Sequence, residues 1–188
     1  MNRIRISICT AVCAILLSML QPDAALGRAK IRTLIIDGQN NHQWELTTSV
    51  LKAVLENSGL FKVNVATSPP RGGDMSNFRP HFSSYDLVVL NYNGDSWPEA
   101  TKKDFVDYVR GGGGIVVYHA ADNPFPDWPE YNEIIGLGGW EGRDEKAGPY
   151  VRWRNGRFVR DTEPGRAGSH GKRHEYVIDN RAPDHPIM

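Results

Sequence analysis

GGGGIVVYHAAD, Gly111 to Asp122, is the stretch that decides the fold. A glycine run releases a short apolar strand, Ile115 to Tyr118, which stops at His119 and gives way to Ala120, Ala121 and Asp122. In an open α/β sheet, ligands bind in the crevice beyond the carboxyl ends of the strands. A histidine at the end of a central strand therefore stands where such a fold does its chemistry, and the two alanines leave room for a sharp turn or a bound molecule. The alternative is a buried, hydrogen-bonded core histidine. The glycine run is not a phosphate loop, because it precedes the strand and no Lys-Ser/Thr follows it.

Upstream, the pattern alternates between strand and helix. Ile31 to Ile36 is an apolar run ending at the turn signal Asp37-Gly38. The polar run Gln39 to His42 follows. Trp44 to Ser58 is helical, with Trp44, Leu46, Val50, Leu51, Val54 and Leu55 near 3.6-residue spacing and Gly59 closing it. Phe61 to Ala66 alternates and reads as a strand near an edge. Ser68 to Phe82, rich in Pro and Gly, is a loop. Asp86 to Tyr92 is a buried strand, and Pro98 opens a helix that runs to Gly111. The order β-α-β-loop-β-α-β indicates an α/β fold with a flavodoxin-like, doubly wound, mostly parallel sheet and helices on both faces. Right-handed crossovers put all the strand carboxyl ends on one edge. Gly38–His42, Asn91–Asp95 and His119–Asp122 then share a rim.

Downstream the pattern loosens. Trp128 to Ile135 is a short helix ended by Gly136. Tyr150 to Arg160 alternates around Asn155-Gly156, the strongest short hairpin signal, and reads as a β-hairpin insertion. Glu175 to Ile178 reads as a further short strand.

The chain has 188 residues, with 22 Lys plus Arg against 22 Asp plus Glu. Balanced charge gives no reason to expect nucleic acid as a partner. Arg3 and Arg5, the apolar run Ile6 to Leu20 and the small residues Ala25 and Gly27 form a secretory signal pattern over Met1–Gly27. The run is about 15 residues, short of the ~20 a spanning helix needs. The expectation is an exported protein, periplasmic or extracellular, with no membrane span after cleavage and a mature domain over residues 28–188. Both cysteines, Cys9 and Cys13, lie inside the signal. The mature chain then has no disulfide, thiolate metal site or cysteine nucleophile.

The candidate site residues follow from the rim. His42 lies between the first strand and its helix, and Asn40, Asn41 and Asn93 carry amides that both donate to and accept from sugar hydroxyls. A helix cap with solvated neighbours is the plainer account of the same run. His170 and His174 are four apart, but Gly168 and Gly171 argue against a helix there. They are either surface histidines or company for His119. Trp97, Trp128, Trp140 and Trp153 are core, or rings that stack on sugar. Asp122, Asp127 and Glu130 lie near His119 in sequence. A glycosidase pair would need a fixed carboxyl separation that sequence does not supply.

DGQNNHQW, GGGGIVVYHAAD, GLGGWEG, GSHGKRHEYVI and the closing DHPIM resemble, in order, the ThuA-like, or trehalose-utilisation, family. The resemblance implies the class I glutamine amidotransferase-like fold. In true amidotransferases of that fold, the strand ending here at His119 would lead to a nucleophilic cysteine in a tight elbow. The elbow here reads Tyr118-His119-Ala120-Ala121, so thiolate glutamine hydrolysis is excluded. The resemblance also implies trehalose or keto-disaccharide metabolism and a small carbohydrate as partner. His119, His42 and Asp122 would be catalytic, and Asn40, Asn41, Asn93 and Trp140 would bind substrate. It also implies Zn²⁺ or another divalent metal, held by His119, His170 and His174. Two departures stand out. The family often has a His after its GG-aromatic segment, where Trp140 is followed here by Glu141, Gly142 and Arg143. Members also run on beyond HPI, so Met188 reads as a C-terminal truncation. A non-catalytic sugar-binding module of a larger surface system is the alternative function, and homo-oligomers remain open.

Overall fold

A computed structural model describes residues 29–136, 138–140, 142–166, 168 and 171–186. The chain divides into Met1–Lys30 and Ile31–Met188, and the elements among the described residues lie in the second unit. The expected signal segment and His170 fall outside the described residues.

Four parallel strands form the sheet: β1 (Ile31–Asp37), β2 (Phe61–Thr67), β3 (Leu87–Leu90) and β4 (Gly114–Val117), in the order β2-β1-β3-β4. Helices α1 (Trp44–Asn57) and α2 (Glu99–Arg110) make the crossovers, and α3 (Pro129–Ile135) follows β4. The expected α/β architecture is therefore present. Among the described residues, however, β4 is the outer strand, not a central one: it pairs there with β3 alone, and Val116 is 44% exposed. A four-residue apolar run has the same composition in either place, so strand order could not be read from it.

The two faces of the sheet carry different cores. Along β1, Ile35 faces one way, with Val63 and Val89, and meets Leu51 and Leu55 of α1. Leu34 and Ile36 face the other way, into an aromatic core that includes Phe82, Trp97, Phe105, Trp128 and Tyr131. Its rings pack in edge-on, tilted and stacked pairs, Phe125 and Tyr131 meeting edge-on at 5.0 Å between centroids. Such pairs add about 0.5–1.5 kcal/mol each beyond their burial. Trp97 and Trp128 are thus core residues.

The expected inner face of α1 needs correction. Leu46, Val50 and Val54 are exposed, while Thr48, Leu51 and Leu55 face the sheet. At 100° per residue, 44/48/51/55 and 46/50/54 form separate rows on different sides of the helix. The apolar spacing had merged the two rows. Gln43 stands at the N-cap without a side-chain bond, and the Gly59 N–H donates to the Glu56 carbonyl at the other end.

Strand β5 (Tyr150–Arg154) pairs antiparallel with β6 (Arg157–Asp161). Asn155 and Gly156 have φ of 50° and 75°, the left-handed pair a two-residue turn requires. Trp153 and Phe158 face each other across it at 4.9 Å. Glu175 to Ile178 is not a strand: it is exposed, with no ladder partner among the described residues. Alternation alone makes no strand without a neighbour to bond. Among the described residues, no helix is long and apolar enough to cross a membrane.

Candidate functional site

The register aligns the strand ends. Ile36 pairs with Leu90, and Leu90 with Val117. The Asn91 N–H donates to the Ile36 carbonyl, and the Tyr118 N–H to the Leu90 carbonyl, so the ladders run to the rim. The three polar segments named from the sequence therefore emerge together on one edge.

They enclose a cleft of ≈ 870 Å³ whose lining includes Asn41, His42, Asn93, His119, Asp122 and Trp140. That lies within the ~300–1,000 Å³ usual for ligand sites. His119 and His42 come together although 77 positions separate them: their Nε2 atoms are 3.1 Å apart and their ring centroids 4.7 Å. One ring donates and the other accepts, so a single proton lies between them. His119 has a φ of 47° and opens a single 3₁₀ turn, His119–Asp122. A left-handed non-glycine residue costs about 1–3 kcal/mol and persists only where its surroundings over-determine it. The expected sharp elbow is present, with an imidazole at its tip.

The partner loop is held from below. Asn40 lies behind the cleft wall: its Oδ1 accepts the His42 N–H at 3.1 Å, and its Nδ2 reaches Asn91 Oδ1 at 3.4 Å. Asn91, almost wholly buried, donates to Thr48 Oγ1 at 3.0 Å and ties the loop to α1. Asn93 Nδ2 donates to Asn41 Oδ1 at 2.9 Å, so these two amides orient each other. Asp122 is pushed above the ordinary carboxylate range by burial, with Arg143 and His119 pulling it back. Asp37, at the end of β1, is raised by burial as well, against the hydroxyls of Thr67 and Thr48.

His174 stands apart: it is exposed, with Nδ1 2.7 Å from the carbonyl of Glu175. No group of three His, Cys, Asp or Glu is placed to hold a metal among the described residues. Two nitrogens bound to one tetrahedral zinc at 2.0–2.1 Å lie about 3.3 Å apart. The His42 and His119 nitrogens thus fit two positions of such an ion, while a catalytic zinc takes three protein ligands.

Four residues escaped the sequence reading. Gln39 is buried and builds the floor: Nε2 donates to the Pro69 carbonyl, and Oε1 accepts the Asp95 N–H, both at 2.8 Å. Gly94 packs against it so closely that a Cβ would lie 2.2 Å from Oε1. Arg71 reaches the cleft from the loop after β2 and donates to the Asn93 carbonyl at 2.9 Å. Asn123 lines the cleft just beyond Asp122. Arg143 is 4% exposed and donates to Asn132 Oδ1, and to the carbonyls of Asn123, Pro124 and Trp140, at 2.5–2.9 Å. A buried arginine amid glycines in GLGGWEGRDEKAG gave one signal, a charged residue in a segment otherwise read as loose.

Residues 32–188 match the model of the ThuA family, described as trehalose utilisation. A thua-like protein from Parabacteroides merdae ATCC 43184 is 57% identical, with a TM-score of 0.80, over 85% of this chain and 57% of that one. This chain thus spans little more than half the length of that relative. A thua-like protein from Bacteroides uniformis ATCC 8492 is 19% identical, with a TM-score of 0.45, over 65% of this chain and 53% of that one. No curated protein matches the chain.

Proposed function

The chain belongs to the ThuA family, associated with trehalose utilisation, and on that premise we propose that its cleft processes a carbohydrate, trehalose or a keto-disaccharide derived from it. The observation that carries the reading is the 3.1 Å approach of His42 and His119 on the cleft wall. A substrate oxygen entering between the rings exchanges their mutual hydrogen bond for two of its own. One imidazole then accepts the proton of a sugar hydroxyl, and the other donates toward a carbonyl or leaving oxygen. Asp122 acts on His119 through its charge, and Asn41, Asn93 and Arg71 offer bonds that orient the ring. A divalent ion, where bound, would use His42 and His119 as two ligands and polarise a carbonyl or a water. In this reading the imidazoles themselves act as the acid and the base.

The non-catalytic sugar-binding module calls for tryptophans around the cleft. Among the described residues, Trp140 is the one tryptophan on its wall, beside two histidines, which favours the enzyme. Export, with cleavage after Gly27 and a periplasmic or extracellular location, is part of the same proposal and rests on the N-terminal sequence pattern.

The test is incubation of the purified chain with a keto-disaccharide and with trehalose, products being followed by chromatography. Turnover that falls by ~10²–10⁴-fold in His119→Ala is the expected result. Tight sugar binding with no turnover would move the protein to the binding-module class.

A further inference from the structure

We propose that the groove between α3 and the β5–β6 hairpin, together with the exposed ring pair Trp153 and Phe158, binds the outer units of a neutral oligosaccharide whose end lies in the histidine cleft. The proposal rests on the carbohydrate reading of the cleft and names the ligand as a chain longer than a disaccharide.

Of the four tryptophans singled out in the sequence, Trp153 is the one that neither the core nor the cleft takes up. Strand alternation, with Val151 paired to Arg160 and Trp153 to Phe158, puts these four side chains on one face of the hairpin. Val151, Trp153 and Phe158 are 50%, 40% and 62% exposed. Single exposed apolar residues are ordinary, but three neighbours on one face form a patch of the kind that marks a binding surface. The two rings stand edge-on at 4.9 Å, and the Arg181 guanidinium lies 5.3 Å from the centre of the Trp153 ring. An aromatic surface bordered by N–H donors suits a pyranose, which has an apolar C–H face and a rim of hydroxyls.

The same face leads into a groove of ≈ 1020 Å³, because Val151 and Arg160 also line it, with Pro129 and Glu133 contributed by α3. Pro126 borders both this groove and the histidine cleft. Arg143 lines the groove and donates to the carbonyls of Asn123, Pro124 and Trp140, all residues of the cleft wall. The two spaces are therefore neighbours across one proline and one arginine. Charge selects the ligand class. Asp127, Glu133 and Asp144 line the groove against Arg143, Lys146 and Arg160, three of each sign. Those carboxylates repel a nucleic acid or an acidic polysaccharide, while mixed donors and acceptors serve the hydroxyls of a neutral chain.

The experiment is calorimetric titration of the full chain with maltohexaose, cellohexaose and laminarihexaose, neutral glucose chains of different linkage, each beside its own disaccharide. The expected result is a hexaose that binds about tenfold or more tightly than its disaccharide, and that loses about this factor in Trp153→Ala and in Phe158→Ala. Disaccharide affinity should be unchanged in both variants, and melting temperatures should stay close to the parent's, since both side chains are exposed. Hexaoses that bind no tighter than their disaccharides, or equally well to both variants, would overturn the extended site. So would tighter binding of a hexagalacturonate, which would make the partner anionic. A parent dimer that Phe158→Ala dissociates in sedimentation would overturn it too, by giving the face to a second copy. None of these outcomes touches the histidine reading, which is decided separately by turnover of the keto-disaccharide in the parent and in His119→Ala.

Discussion

Replacing Arg143 with methionine removes the donor that four acceptors share. Three of them belong to residues that are themselves more than nine-tenths buried, Asn123, Pro124 and Asn132. The fourth, the carbonyl of Trp140, belongs to an exposed residue, where water can replace the guanidinium. Each enclosed acceptor left without a donor costs about 1–3 kcal/mol, so the variant should lose about 6 kcal/mol. Methionine fills much of the volume and adds no charge, so the loss is chiefly one of hydrogen bonding. At about 2–4 °C per kcal/mol for a domain of this size, the melting temperature should fall by roughly 12–24 °C. Circular dichroism in the far and near ultraviolet measures it, the near-ultraviolet signal reporting the tryptophans. Arg143→Lys should rescue little, since one ammonium cannot span four acceptors set around a planar fork. A fall of less than about 2 °C, outside the range this reasoning allows, would refute the view that Arg143 pins the cleft wall.

Other perturbations test separate parts of the account. His119→Asn should gain about 1 kcal/mol in chemical denaturation, because asparagine tolerates the left-handed backbone better, while losing turnover. The Asp37 carboxyl, raised by burial, keeps its proton to a higher pH in the folded chain than in the unfolded one. Its contribution is therefore fully present below the unfolded value of ~3.9 and is lost as pH rises toward the folded value. In Asp37→Asn, the difference between urea midpoints measured at low and neutral pH should shrink, and Asp122, raised in the same sense, should account for part of what remains. Leu46→Ala on the outer row of α1 should change stability by no more than about 0.5 kcal/mol, whereas Ile35→Ala in the sheet core should cost about 2–5 kcal/mol. Thermal melts of the two variants give the comparison.

Much of the site was legible because strand ends are written locally. An apolar run followed by polar residues marks where a strand stops, and crossover handedness puts parallel ends on one edge. That was enough to bring Asn41, His42, Asn93, His119 and Asp122 to a shared rim. The same local reasoning could not place β4 at the outside of the sheet, since strand order is set by packing across the whole fold. Nor could it separate the two rows of α1, because Leu46 and Leu51 differ in burial by helix angle and not by residue type. Glu175 to Ile178 failed for a related reason: a strand is a relation between two segments, and composition describes only one. Arg71, Asn123 and Arg143 were missed because each takes its role from carbonyls and oxygens brought together by folding. Arg143 in particular bonds three backbone carbonyls besides Asn132 Oδ1, and backbone groups carry no side-chain signature.

The account's central claim is that His42 and His119 act as one unit. The direct measurement is turnover of a keto-disaccharide by His42→Ala, His119→Ala and the double variant. Groups that share one catalytic proton are strongly non-additive, so the double variant should be no slower than the slower single variant. Effects that multiply, or full activity in either single variant, would contradict the claim.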